Sequence, residues 1–394
     1  MRDFTAARLR DVQESATIAV SDKAKALKAQ GKDVLDLSGG DPHFKTPEHI
    51  RREAFEAMER GDTRYPPSRG VPRLLEAIQR KLAQENGLEY ARDELVVTPG
   101  GKLGIYASLM ATVEPGDQVL LLSPAWVSYE PGIRLAGGSP VYVPLEPEEY
   151  RITPEALRSV DAPRAKVLIF NSPNNPTGRV ATREELEAVS EFARERDLLV
   201  ISDELYEKLL YDGHEHTSLA TLPGMWERTI TVNGFSKAYA MTGWRLGYVA
   251  APREIIAQLF KVHQQSVTAA ATFTQLAGAR ALEGPQDEVD DMLREYDSNR
   301  RLVVQALNDM PGVYCPSPEG AFYAFPRIES ASDSVRFAQE LLEDALVAVT
   351  PGVAFGPTGE GHVRISFATS ADVLERAFER MAKVLNDRVP SLPR

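Results

Sequence analysis

The stretch KVLIFNSPNNPTGRVATREELEAVSEFARERDLLVISDELY, residues 166–206, decides the fold. It opens on an unbroken aliphatic run at 166–170 and ends on another, LLVIS, at 198–202. Between them Thr182 and Glu185 stand at capping-box spacing ahead of a helical pattern. Two apolar runs without period-2 alternation, joined through a helix, read as parallel strands covered on both faces. Outward from this unit the same alternation continues, with strand-like runs ELVV at 94–97, QVLLL at 118–122, VYV at 141–143, TITV at 229–232 and LGYVA at 246–250. Thr46-Pro47-Glu48 and Thr153-Pro154-Glu155 each place a capping hydroxyl before a proline at the first helical position. The pattern predicts an α/β fold, a largely parallel sheet wrapped by helices between about residues 46 and 250.

Beyond that region two long helical stretches between about 264 and 309 meet at Gly284-Pro285. FYAF at 322–325 and HVRISF at 362–367 then read as strands of a second, smaller unit, flanked by a helix over 371–386. The expected division is a large domain over 46–282 and a small C-terminal domain over 283–394. With 394 residues the chain has length for two or three domains and a large core. Its 45 Lys and Arg against 57 Asp and Glu give a net charge of −12, which opposes nucleic acid and anionic membrane surfaces. A single cysteine, Cys315, excludes an internal disulfide and a Cys-rich metal site. No apolar run approaches the ~18 residues of a spanning helix, and the first fourteen residues are charged throughout, so the expected location is the cytoplasm.

In an open parallel sheet ligands bind beyond the carboxyl ends of the strands. Gly100-Gly101-Lys102 follows one strand and opens a helical stretch, where free backbone N–H groups favour an anion; the alternative is a plain tight turn. Neither GxxxxGK[ST] nor GxGxxG is present. Asp203, at a strand mouth, either faces a cation or caps the next helix. Asn175-Pro-Thr-Gly taken alone is a turn, and Tyr65 and Trp126 are by default packing aromatics. Lys237 is the sharpest candidate: desolvation at a strand end lowers an amine's pKa and frees it for Schiff-base chemistry, although a surface lysine is the ordinary reading. Arg364 could fork onto a carboxylate or lie on a polar strand face. His214-Glu215-His216 reads as a surface loop without a third ligand at metal spacing, and no metal is expected.

Taken in order, YPPSRGVPRL, VTPGGK, SPAWVSY, NSPNNPTG, ISDELY, NGFSKAYAMTGWRLGY, PEGAFY and HVRISFATS resemble the class I aminotransferases of pyridoxal-phosphate fold type I, most closely the prokaryotic aspartate aminotransferase subgroup. The resemblance runs from about residue 15 to 385. It implies that residues 1–45 form an N-terminal arm and part of the small domain, which would then be built from both chain termini. It further implies that Lys237 carries pyridoxal 5'-phosphate as a Schiff base and moves a proton, with a pyridoxamine form between half-reactions. Asp203 would pair with the pyridine nitrogen, Asn175 and Tyr206 with the phenolic oxygen, and Trp126 would stack on the ring. Gly101, Lys102, Ser236 and Arg245 would hold the phosphate, with Tyr65 reaching in from a second subunit, which implies a homodimer. Arg364, helped by the backbone of Gly40, would clamp the substrate's α-carboxylate and Lys102 would reach its distal one, with Trp126 and Asn175 also among the substrate-binding residues.

Three departures stand out. Gly234 occupies a position where many relatives place a phosphate-binding serine, so Ser236 is left to compensate. GDPHF replaces the commoner GEPDF, and Gln13-Glu14 precede SATIAV, where Glu14 would disfavour bulky dianions. The expected activity is transfer of the amino group of an acidic amino acid, aspartate first, to a 2-oxo acid such as 2-oxoglutarate. The alternatives are a lyase, β-decarboxylase or specialised biosynthetic transaminase with the same cofactor, or a cofactor-binding regulator, which the acidic charge opposes.

Overall fold

The computed structural model describes residues 4–12, 14–146 and 149–386. Its centre is a seven-stranded sheet, in spatial order Leu95–Thr98, Gly247–Ala250, Thr229–Gly234, Leu199–Asp203, Ala165–Asn171, Gln118–Ser123 and Ser139–Pro144. Gly247–Ala250 runs antiparallel to both neighbours, and the remaining six share one direction. The aliphatic runs lack alternation because both faces of the sheet are covered. Val119, Leu121, Val167, Ile169 and Ile201 meet Ile105 and Leu109 of helix Gly101–Thr112 and Ile256 and Leu259 of helix Arg253–Ser266. Their neighbours Leu120, Leu122, Leu168, Phe170 and Val200 meet Leu186, Val189 and Phe192 of helix Arg183–Glu195.

Helix starts follow the capping chemistry at two of the three expected places. The Thr182 hydroxyl accepts from the Glu185 amide while the Glu185 carboxylate accepts from the Thr182 amide, and Thr153 accepts from the Ala156 amide. Thr46 does not cap helix Glu48–Glu59. Its hydroxyl donates to the Ala240 carbonyl at 2.7 Å and accepts from Trp244 Nε1 at 2.9 Å, so it ties that helix start to the loop after Lys237 instead.

Beyond helices Thr272–Glu283 and Asp287–Asn308, a three-stranded sheet sets Val363–Ser366 between Tyr323–Ala324 and Thr350–Pro351, and helix Ala371–Asn386 covers the end of the described chain. The N-terminal segment joins here. Leu35–Asp36 pairs in parallel with Val347–Ala348, and the Leu37 carbonyl accepts from the Ser366 amide at 2.8 Å. This stitching carries Ser38 to Asp41 across to the large sheet and aligns them with Arg364.

Candidate active site

The carboxyl ends of Ala165–Asn171, Leu199–Asp203 and Thr229–Gly234 open into a cavity of about 970 Å³. Gly40, Gly101, Lys102, Trp126, Asn175, Asp203, Tyr206, Ser236, Lys237, Arg245 and Arg364 all line it. Tyr65 does not. Its side chain is 91% exposed and outside the cavity, because nothing in one chain reaches over that turn. Gln13 lies outside the described residues, and Glu14 lines a neighbouring groove of about 620 Å³ that Lys102, Trp126 and Arg245 share with the cavity.

Local structure explains how each group is delivered. The Asn171 side chain accepts from the Asn175 amide at 2.8 Å and donates to the Asp203 carbonyl at 2.9 Å, which locks the Asn-Pro-Thr-Gly turn to the adjacent strand end. Gly100 sits at φ +83°, a left-handed conformation that suits glycine, and helix Gly101–Thr112 begins directly after it. A Cβ on Gly100 would fall 2.5 Å from Arg245 Nη2, so the guanidinium lies over the helix N-terminus. Two sources of positive potential therefore converge there. Gly234 is set by packing: a Cβ would meet the Leu246 carbonyl oxygen at 3.0 Å and Gly247 Cα at 3.1 Å.

Asp203 and Arg364 are buried, Lys237 is half-buried and Lys102 is exposed, and their charges are incompletely matched. Asp203 accepts from the Tyr129 hydroxyl at 2.7 Å and from the Leu205 amide at 3.3 Å, both neutral donors. Burial pushes its carboxyl up to about 6 against the pull of those two bonds. Lys237 Nζ donates to the Gly40 carbonyl at 2.6 Å. Burial first, then the positive charge of Arg364, brings its amine down to about 8. Arg364 is 2% exposed, not on an ordinary polar strand face. It spends Nη1 on Asn175 Oδ1 at 3.0 Å and Nη2 on the Ser38 carbonyl at 2.7 Å, and its guanidinium lies 4.3 Å from the Tyr323 ring centroid. Its buried Nε has no partner among the described residues. Lys102 Nζ lies over the Trp126 ring at 5.1 Å, and burial together with Arg245 lowers its pKa.

Three participants escape sequence reasoning. Tyr129 holds Asp203, Tyr323 shares a 3.0 Å hydrogen bond with Tyr206, and Ser38 orients Arg364. Tyr129 and Tyr323 lie inside SPAWVSY and PEGAFY, so their motifs were visible although their partners were not. His216 corrects the surface-loop reading. His214 and Glu215 are exposed, but the His216 side chain is only 8% exposed, with Nε2 3.0 Å from Glu204. Glu204 and Glu207 supply the further ligand-type atoms missing from the sequence view.

This donor set fits pyridoxal 5'-phosphate. A buried carboxylate lacking a cation suits a protonated pyridine nitrogen, a buried amine of lowered pKa suits the aldehyde, and the Gly101 helix start under Arg245 suits the phosphate.

The family model for aminotransferase class I and II matches residues 32–381. An aspartate aminotransferase of Pyrococcus abyssi is 47% identical over 367 residues, 92% of this chain and 94% of that protein. The structure of the Thermus thermophilus aspartate aminotransferase with maleate superposes with a TM-score of 0.93 at 43% identity, covering 98% of this chain and 100% of that one. The aromatic aminotransferase of Pyrococcus horikoshii gives a TM-score of 0.88 at 46% identity, over 94% and 99%.

Proposed function

The chain belongs to the class I and II aminotransferases, and from that membership we propose that it carries the amino group of aspartate to 2-oxoglutarate as a cytoplasmic homodimer. It is an aminotransferase, and its cofactor is pyridoxal 5'-phosphate. The observation that carries the substrate reading is the pair of cations lining one cavity, Arg364 and Lys102 over Trp126. Two cations in one pocket suit an amino acid with two carboxylates.

When bound, pyridoxal phosphate supplies an aldehyde carbon for amino exchange and a ring that accepts the electrons of the broken Cα–H bond. Lys237 would hold the cofactor through Nζ, and the same atom would take and return the proton. Its pKa of about 8 keeps a neutral amine within reach near neutrality. Asp203 stays ionised against a ring nitrogen and keeps a proton there; Tyr129 keeps it aimed. Asn175 and Tyr206 hold the phenolic oxygen, and Trp126 covers the ring and excludes water. Gly101, Lys102 and Ser236 hold the phosphate with Arg245. Arg364, oriented by Ser38 and Asn175, fixes the α-carboxylate and with it the direction of the Cα–H bond.

Tyr65, exposed on its own chain, supports the dimer: it completes the phosphate site of a second copy. Phe55, 60% exposed on helix Glu48–Glu59, supplies apolar surface for the same contact. Among the described residues no helix is long and apolar enough to cross a membrane.

The test is a visible spectrum of the purified protein with pyridoxal phosphate. Aspartate is expected to bleach the yellow form and 2-oxoglutarate to restore it; release of alanine and carbon dioxide from aspartate without bleaching overturns transamination. The groove of about 620 Å³ beside the cavity, lined by Tyr106, Leu103 and Trp126, favours a second reading in which aromatic amino acids are also donors. Bleaching by phenylalanine or tyrosine alone would select it.

A further inference from the structure

Residues 203–207 present two faces. Asp203 and Tyr206 line the cofactor cavity, whereas Glu204 and Glu207 turn away into a buried charge cluster. The strand geometry requires this for the first pair, since Ser202 and Asp203 point to opposite sides of the sheet and the Ser202 hydroxyl donates to Glu204 at 2.8 Å. Glu204 also accepts from the Ser218 hydroxyl at 2.7 Å and pairs with His216 Nε2 at 3.0 Å. Glu207 pairs with Lys81 of helix Pro72–Glu85 and accepts from Asn86 Nδ2 at 2.8 Å. Lys81 is 4% exposed at its side chain.

Glu204, Glu207 and His216 bring ligand-type atoms within 4.8 Å of one another, but Lys81 already contributes a cation, so the cluster is a closed charge network and not a metal site. Lys81 also lies 3.8 Å from Glu85, which pairs with Lys208 at 2.8 Å, so three carboxylates face two ammonium groups and one imidazole, and neutrality requires His216 to be protonated. We propose that Glu204 and Glu207, held by His216 and Lys81, are positioning residues that aim Asp203 and Tyr206 at the cofactor from the opposite side of the sheet. The proposal rests on the assignment of Asp203 and Tyr206 to the cofactor given above.

Supporting electrostatics run the same way. Burial disfavours the His216 imidazolium, but Glu204 and then Glu207 outweigh it and raise its pKa above the usual histidine range. Burial likewise opposes the Glu207 carboxylate, but Lys81 and His216 outweigh it and hold it down at about 2. The phenols that feel the Glu204 and Glu207 charges, among them Tyr90, Tyr239 and Tyr248, are kept protonated by burial. A raised folded-state pKa means that the clamp is complete below about pH 6.5 and is lost as pH rises through the raised value.

The experiment compares pyridoxal phosphate affinity of the full-length parent, His216→Gln and Asp203→Asn by equilibrium dialysis from pH 6 to 9, alongside thermal unfolding of the cofactor-free proteins. Asp203→Asn is expected to bind about a hundredfold more weakly, and His216→Gln about tenfold more weakly at pH 6.5. The gap between parent and His216→Gln is expected to narrow toward pH 9. A merely structural role predicts a lower unfolding temperature for His216→Gln with parent-like affinity, and that result overturns the proposal. Parent-like affinity in Asp203→Asn overturns the cofactor placement beneath it instead. If His216→Gln does not fold, Ser218→Ala removes the hydroxyl bonds to Glu204 and leaves the charges; about threefold weaker binding is expected, and unchanged affinity overturns the proposal.

Discussion

The two faces of residues 203–207 treat charge in opposite ways. On the cavity side Asp203 is met by neutral donors, Lys237 by a carbonyl, and Arg364 keeps an idle Nε. On the far side Glu204 and Glu207 are each paired with a cation and further satisfied by Ser202, Ser218 and Asn86. Both clusters hold buried charges, Asp203 and Arg364 on one side and Glu204 and Lys81 on the other, so burial alone does not distinguish a working site from a scaffold. Incomplete pairing does, because a buried group without its partner is costly unless a ligand supplies one.

The comparison breaks most sharply at Lys237. Lys237→Ala is expected to lose at least ~10³-fold in transamination while the cofactor-free protein unfolds at the same or a higher temperature, since a poorly matched buried amine is removed. Lys81→Met should do the reverse, destabilising by about 3 kcal/mol in denaturant unfolding because Glu207 is left buried and unpaired. Arg364→Leu is expected to reduce kcat/KM for aspartate about 10²-fold, with intact folding. Lys102→Met sharpens the substrate reading: about a tenfold loss in kcat/KM for aspartate and little change for alanine, measured in parallel. The smallest effect is on pH. Capture of pyridoxal phosphate by cofactor-free protein needs a neutral Lys237, so its rate should climb about fivefold from pH 7 to 8 and level off above pH 9; Arg364→Leu should move that rise upward by removing a neighbouring positive charge.

Much of this was legible in the chain. The runs at 118–122, 166–170 and 198–202 announce strands because they are sandwiched, and a sandwiched strand has no polar face to confuse the pattern. Candidate groups were legible because strand ends collect them; Lys237, Asp203, Asn175 and Arg364 do meet in one cavity. What was hidden depends on approach in space. Tyr129 meets Asp203 across 74 residues of sequence, and His216 meets Glu204 only because the loop after Tyr211 folds inward. Thr46 misled because its hydroxyl had two competing partners, Ala240 and Trp244, that local sequence does not reveal. Tyr65 lies 91% exposed and away from the cavity.

The pairing of Leu35–Asp36 with Val347–Ala348 also bears on how the protein is born. At a synthesis rate of about 5–20 residues per second, the strand at Leu35 leaves the ribosome ~15–60 s before its partner is made. The large sheet can close in that interval, since its strands lie between residues 95 and 250. Ser38 and Arg364 cannot meet until nearly the last helix is translated, so this side of the cavity is assembled last.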